Sequence, residues 1–235
     1  MSLRHLGNPL PLPLPQPQPV RSTFVSRRGL VAFALSTLFL AGCFTGERPY
    51  FNAEGAFPPG TTTGDPSLDA VLNKIDSVTA GPATAAYSIL TKYGNVTTPG
   101  LVVLEPGKRS ITVGNVRYIQ TPDRVATCAE DGSEPCVDAF DLQRISNTAV
   151  TVDFYAADTA KRMRRDAEAK IGPAVLHTET IADQPVTCVD VPLPGGTAVY
   201  CALDNGLVAK VDDGDVLVAL TLYGDVVDQN AFVIP

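Results

Sequence analysis

Apolar side chains recur at helical spacing in the first regular segment of the chain. The recurring positions are Leu68, Val71, Leu72, Ile75 and Val78. Because residues three and four apart lie on one face of a helix, this pattern predicts an amphipathic α-helix. Asp65 can cap the N-terminus of this helix, Pro66 suits its first turn, and Gly81-Pro82 ends it.

Runs rich in β-branched and aromatic residues follow in two blocks, which is typical of strands. The first block comprises 85–94, 100–114 and 115–121, and the second comprises 184–191, 197–204, 207–212 and 215–224. Short turn sequences separate these segments, among them Pro106-Gly107, Pro194-Gly195 and Asn205-Gly206. Consecutive strands joined by such turns pair antiparallel, so each block is predicted to form a meander.

The segment between the two blocks, 138–171, is predicted to be a helical insertion ended by Gly172-Pro173. Strand and helix patterns compete over 148–156, where we favour helix. The basic residues of the insertion are Lys161, Arg162, Arg164 and Arg165. They fit either a solvated helix face with i,i+4 ion pairs or a basic site for an anionic headgroup or partner. The whole pattern predicts an α+β domain: a curved antiparallel β-meander sheet with an N-terminal helix and a central helical insertion.

The N-terminus has the features of an export signal. Arg27 and Arg28 precede an apolar run of 12 residues, 30–41, whereas a membrane-spanning helix needs about 20. The sequence Leu40-Ala41-Gly42-Cys43 resembles a bacterial lipobox. In lipobox proteins the signal peptidase cuts before the cysteine, whose thiol carries a diacylglycerol. The resemblance therefore implies that Cys43 anchors the chain to the membrane; the alternative is an ordinary secretory signal with an incidental cysteine.

Two features of this leader stay open. The stretch Ser26 to Leu30 fits either a twin-arginine signal or the basic region of a general export signal. The Pro-rich stretch before it has no means of forming a core, so translation could begin at Met1, Val20 or Val25, and we favour one of the valines. The predicted organisation is a leader and lipoprotein signal peptide over 1–42, a flexible tether over 43–64, and a single extracytoplasmic domain over 65–235.

Charge is divided unevenly along the chain. Residues 1–42 hold four arginines and no acid, so the remainder holds 14 basic against 25 acidic side chains and carries about −11. A domain this negative is unsuited to binding nucleic acid or anionic lipid through charge. The charge fits a domain on the extracytoplasmic face of the cell membrane, with no nucleic-acid partner.

The cysteines other than Cys43 form an even set, which predicts two disulfides in an exported protein. This set is Cys128, Cys136, Cys188 and Cys201. Four cysteines allow three connectivities, of which we favour 128–136 and 188–201. A two-residue loop at Pro194-Gly195 would place Cys188 opposite Cys201, whereas a three-residue loop would shift the register by one. No short ligand spacing predicts a metal site.

No motif identifies a reaction, and we expect a non-catalytic protein without a cofactor. His177 is the only histidine after position 42, and no Gly-x-Ser-x-Gly sequence occurs. The acidic groups at 130–131 and 212–215 do not follow the alternating pattern of a calcium loop.

The order of elements behind the lipobox resembles the LolA/LppX/LprG half-barrel lipoproteins of the bacterial envelope. In that family a bent sheet and a helix enclose an apolar pocket, which implies a lipid or other apolar ligand for this chain. The predicted ligand-binding residues are Val102, Leu104, Val199, Leu217 and Leu220. The alternative is a structural lipoprotein with a filled core that docks another envelope protein, through a patch near Tyr118 or Arg162.

Overall fold

The computed structural model describes residues 58–78 and 81–235, which lie within one compact unit, Asn52–Pro235. The predicted leader, the signal peptide and Cys43 lie outside the described residues. The last part of the predicted tether is described and is held by the first helix. Gly60 N–H donates to Asp76 Oδ2 at 2.9 Å, and Thr63 N–H donates to Asp69 Oδ1 at 2.7 Å. Among the described residues, no helix has the length and apolar character needed to cross a membrane.

Ten strands form one antiparallel sheet. Their bounds are β1 Ala83–Thr91, β2 Val96–Glu105, β3 Lys108–Val113, β4 Val116–Gln120, β5 Val125–Ala129, β6 Val175–Ile181, β7 Gln184–Leu193, β8 Gly196–Ala202, β9 Val208–Asp212 and β10 Val216–Gly224. Strands β1–β5 form one meander and β6–β10 the other, and the two join where β1 pairs with β10. The sheet is open, with β5 and β6 at its edges. The predicted α+β class with antiparallel meanders is confirmed.

The turn residues set the register of the second meander. The β7–β8 hairpin has the two-residue loop Pro194-Gly195, which pairs Leu193 with Gly196 and therefore Cys188 with Cys201. Gly195 has a φ of +97°, a left-handed conformation that glycine adopts without steric cost. Of the two predicted registers, the two-residue loop is the one that forms.

Helix α1 (Pro66–Asp76) begins as predicted, because Asp65 accepts the N–H of Ser67 at 3.0 Å. Four of its five predicted apolar residues are at most 1% exposed: Leu68, Val71, Leu72 and Ile75. The helix ends earlier than Gly81-Pro82, because Ser77 caps its C-terminus and donates its hydroxyl to Asn73 O at 2.7 Å. Val78 therefore lies beyond the helix. Helix α2 (Ala157–Ala169) packs against α1, and both contact β7.

The expected solvated helix face with i,i+4 ion pairs holds for part of α2: Lys161 and Arg165 are exposed, and Arg162 pairs with Asp158 at 3.3 Å. Arg164 and Arg162 correct the rest of that expectation. Arg164 is 3% exposed, pairs with Asp76 of α1 and donates to Thr61 O at 2.9 Å. The side chain of Arg162 is 16% exposed and bonds Asp213 at 2.9 Å. These side chains join α2 to α1 and to the β9–β10 turn, so they are structural cations rather than a site for an outside anion.

The stretch favoured as helix over 148–156 is a second correction. Residues 152–156 form turns that lead into α2, and they place Phe154 and Tyr155 in the core at 1% and 5% exposure. The other face of the first meander carries a smaller cluster around Ile119 and Cys128. The C-terminal 3-10 helix, Gln229–Phe232, packs there on β3 and β4.

Candidate ligand-binding site

A pocket of about 280 Å³ opens at the end of the first meander where β2 turns into β3, beside the C-terminal end of α1. Its lining residues are Val78, Leu104, Glu105, Gly107, Lys108, Arg109, Gln120 and Tyr155. Val78, Leu104 and the ring of Tyr155 supply its apolar surface. Lys108 and Arg109 supply two cations, so the pocket combines apolar area with positive charge.

Strand register places the polar groups of the pocket on the core side of the sheet. Leu104 pairs with Arg109 across β2 and β3, and Arg109 pairs with Gln120 across β3 and β4. Residues that face each other across a ladder project from the same face of the sheet. Since Leu104 faces the core, the guanidinium of Arg109 and the amide of Gln120 project beside it.

The guanidinium of Arg109 is held by three groups. Its Nε donates to Gln120 Oε1 at 2.7 Å, and its Nη1 donates to Asp153 Oδ1 at 2.5 Å and to the Tyr155 hydroxyl at 3.3 Å. The ring of Phe140 lies 5.4 Å from its Cζ. Among the described residues no group accepts a hydrogen bond from Nη2, so one donor edge of this oriented guanidinium is uncommitted.

Burial and hydrogen bonding set the protonation states at the pocket. Burial raises the pKa of Tyr155, so its hydroxyl stays neutral. For Arg109, burial opposes the charged form, but the hydrogen bond to Tyr155 and the charge of Asp153 outweigh it and raise the pKa. Arg109 is therefore a permanent cation that is about one quarter exposed.

Lys108 is a second, looser cation at the rim of the pocket. Its ammonium lies 3.5 Å from the carboxylate of Glu105 and 5.4 Å from the ring centroid of Phe232. The side chain is 38% exposed, so the ion pair with Glu105 is weak and open to exchange. Because successive side chains of a strand project from opposite faces, Lys108 leaves β3 on the face opposite to that of Arg109.

The five predicted ligand-binding residues are not brought together by the structure. Leu104 lines the pocket, whereas Val102 and Leu220 lie in the packed core at 0% and 4% exposure. Val199 and Leu217 both pair with Asp212, and each alternates with buried neighbours along its strand. Because successive side chains of a strand project from opposite faces, these two lie on the face away from the core.

The sequence predictions do not include Arg109 or Tyr155, although one signal for Arg109 is present in the pattern of β3. Arg109 is in phase with Ile111 and Val113, which are at most 2% exposed, so period-two alternation places it on the buried face. A charged residue in phase with core residues requires a special environment. Tyr155 had no such signal, because it lies in a turn.

The two patches proposed for docking another protein are also not available as expected. Tyr118 is 0% exposed and donates its hydroxyl to Asp141 O at 2.9 Å. Arg162 is mostly buried by its ion pairs. A docking role would need a different surface.

The favoured disulfide pairing is confirmed: Cys128 is bonded to Cys136, and Cys188 to Cys201. Among the described residues, His177, Glu179 and Cys188 bring three potential ligand atoms within 4.8 Å of one another. Because the sulfur of Cys188 is in a disulfide, it cannot bind a metal as a thiolate. Two ligands do not make a site.

No protein-family model matches this chain, and no curated protein matches it. Among solved structures, that of MucB matches with a TM-score of 0.44 and 9% identity over 69% of this chain. The MucA/MucB complex of Pseudomonas aeruginosa matches with a TM-score of 0.36 and 9% identity over 67%. The matches span 60% and 56% of those two chains. Similarities this distant carry no argument about function.

Proposed function

We propose that this protein is a lipid-anchored binding protein of the cell envelope that holds a small amphipathic anion in the pocket at Arg109. The observation that carries the proposal is the uncommitted edge of the Arg109 guanidinium beside the apolar surface of Leu104 and Val78. The resemblance of Leu40–Cys43 to a lipobox supports the membrane anchor. The two disulfides support an oxidising, extracytoplasmic compartment.

The pocket favours a ligand with a carboxylate or phosphate head and a short apolar tail. An oxyanion can accept from Arg109 Nη2. The tail then covers Leu104, Val78 and the ring of Tyr155. The proposed role is binding without reaction.

The size of the pocket limits the ligand. Pockets for small molecules usually enclose about 300–1,000 Å³, and this pocket, at about 280 Å³, is at the lower limit. The adjacent core is filled by residues such as Tyr87, Phe154 and Met163, each at most 3% exposed. The ligand is therefore a short single chain or the end of a longer one, rather than a lipid with several enclosed chains.

Calorimetric titration with octanoate and octanol tests this proposal. We would use the full chain with Cys43→Ser, which cannot be lipidated. Octanoate should bind, and Arg109→Met should weaken its binding at least about tenfold, because a charge-assisted hydrogen bond contributes about 1.5–3 kcal/mol. Octanol has no charge, so its affinity should be the same for both proteins.

Arg124→Met is the matched control. Arg124 also forms an ion pair with an aspartate, Asp138, but both side chains are more than half exposed and lie away from the pocket. Its substitution should leave octanoate binding unchanged. If Arg109→Met does not fold, Arg109→Lys keeps a cation but loses the planar donor edge, so it should give a smaller loss of affinity. Absence of octanoate binding, or equal affinity of the Arg109 and Arg124 variants, would contradict the proposal.

A further inference from the structure

Within the part of the chain that the structure describes, one edge of the sheet is covered and the other is not. At the β5 edge, Thr127 exchanges two backbone hydrogen bonds of 2.9 Å with Val137, and its hydroxyl donates to Ala139 O. At the β6 edge, no described residue hydrogen-bonds to the outer side of the strand. β6 pairs with β7 in regular register over its seven residues and contains no proline, lysine or bulge. Soluble proteins normally use such devices to block edge pairing.

The direction of the free backbone groups follows from the neighbouring ladder. The Cα atoms of Cys188 and Cys201 are 4.0 Å apart, which is the spacing of a non-hydrogen-bonded pair. Cys188 therefore directs its N–H and C=O away from β8 and toward His177 of β6. Pro192 is four residues along β7 from Cys188, so its carbonyl should also point away from β8. It does, because it accepts from Ile171 N–H at 2.9 Å.

Since backbone groups alternate along a strand, three residues of β6 direct theirs outward. These residues are Leu176, Thr178 and Thr180. Each offers one donor and one acceptor to an added strand, at regular spacing. Val175 and Leu176 are also 57% and 45% exposed, so this edge presents apolar surface as well as unpaired backbone.

The sequence of β6 is complementary to itself when the strand is reversed about Thr178. Antiparallel pairing at that point places His177 opposite Glu179 of the second copy. It also places Leu176 opposite Thr180 and Val175 opposite Ile181. Within one copy, His177 Nε2 lies 3.1 Å from Glu179 Oε1, so these two side chains project from the same face. Each copy therefore presents an imidazole where the other presents a carboxylate.

We propose that two copies of this chain pair antiparallel along β6, about a two-fold axis at Thr178, and so form one continuous sheet. The three outward residues of each strand exchange six backbone hydrogen bonds. The crossed His177–Glu179 contacts and the apolar pairs of Val175 with Ile181 fix the register. A shift by two residues would place the two His177 side chains, or the two Glu179 side chains, opposite each other. A single strand pair is a small interface, which indicates a weak dimer in solution. This proposal does not depend on the pocket at Arg109.

Cysteine substitution at the axis provides the test. In the proposed dimer the two Thr178 residues form a hydrogen-bonded pair, whose Cα atoms lie about 5.5 Å apart, within disulfide range. Thr178→Cys in the full-length protein, in the membrane of its host, should therefore give a covalent product of twice the chain mass. Thr180→Cys is the matched control, because Thr180 is also exposed and lies on the same side of the same strand. In the proposed register, Thr180 of one copy lies opposite Leu176 of the other. The two Thr180 residues are therefore four positions apart along the strand, and Thr180→Cys should not cross-link.

Each other result overturns the proposal. Equal cross-linking at both positions would indicate random collision, and cross-linking at Thr180 alone would indicate another register. A product whose mass is not twice that of the chain would indicate a different protein on the edge. Sedimentation gives a second measurement: Thr178→Pro removes an outward N–H and should weaken the dimer at least about tenfold, whereas Thr178→Val should not. A dimer of unchanged affinity in Thr178→Pro would also overturn it.

Discussion

At the scale of single residues, Gly206 allows the β8–β9 loop to touch the end of α1. Its φ is +88°, a left-handed conformation that costs an L side chain about 1–2 kcal/mol. A Cβ at this position would also lie 2.3 Å from Lys74 O and 2.8 Å from Val78 Cα. Both neighbours are backbone atoms, so neither can rotate away.

Gly206→Ala is therefore expected to lower the free energy of unfolding by more than about 2 kcal/mol, because the strain adds to a displacement of α1. Gly195→Ala is the matched control: its φ is +97°, but a Cβ there would meet nothing within 4 Å. It should cost only the backbone strain, about 1–2 kcal/mol. Urea denaturation measures both, and equal losses would show that the contact with α1 imposes no constraint.

The patterns of single residues along the strands also explain why only part of the pocket lining was predicted. Leu104 was identified because it is an apolar residue on an alternating strand. Arg109 was overlooked although its phase with Ile111 and Val113 placed it inside. Its partner Asp153 is 44 residues away in sequence, and no local pattern specifies such a contact.

At the scale of elements, the carboxylate of Asp65 joins three of them. Its Oδ1 accepts from Ser67 N–H at the start of α1, while its Oδ2 accepts from Lys170 at 2.5 Å just after α2 and from Ala174 N–H at 3.4 Å just before β6. The hydrogen bond from Lys170 contributes most to lowering the pKa of Asp65, and burial partly opposes it. The ionised form is therefore the one that the fold stabilises.

Because this pKa is lower in the folded chain than in the unfolded chain, the contribution of Asp65 is complete above about pH 4. It is lost as the pH falls through the folded-state pKa. Asp65→Ala should lower the free energy of unfolding at pH 7 by about 1–2 kcal/mol, the usual value of a cap. That deficit should shrink as the pH falls below about 4.

Asp65→Asn separates the cap from the charge, because asparagine also accepts from the first turn. Its deficit should be smaller than that of the alanine variant at pH 7 and should disappear at low pH. Urea titrations of the three proteins across this range give the comparison. A deficit of the alanine variant that is constant with pH would contradict a role for the carboxylate charge.

Among the strands, the two that the sequence did not predict are the edge strands β5 and β6. In β6, four polar residues follow one another from His177 to Thr180, so neither face shows an apolar repeat. Its turn to β7 uses Ala182 and Asp183 at φ of 50° and 60°, without the glycine or asparagine that usually marks such a turn. Interior strands bury one face and show alternation, whereas an edge strand is held by the ladder of its neighbour.

At the scale of the whole molecule, the two disulfides hold opposite ends of the sheet with different access to solvent. Cys188 and Cys201 are both 0% exposed within the second meander. Cys128 is 1% exposed, but its partner Cys136 is only half-buried, in the loop that covers the β5 edge. The bonds span 13 and 8 residues, so chain entropy gives each about 2.5–3 kcal/mol. Their contributions to stability are similar, and only their exposure to a reductant differs.

Under native conditions a phosphine reductant should therefore open Cys128–Cys136 first. Cys188–Cys201 should open only as fast as the domain unfolds, because reduction requires access to a sulfur atom. Timed alkylation followed by mass spectrometry would detect an intermediate with two alkylated cysteines, at 128 and 136. Simultaneous opening of both bonds would instead mean that the loop over β5 opens only with the whole domain.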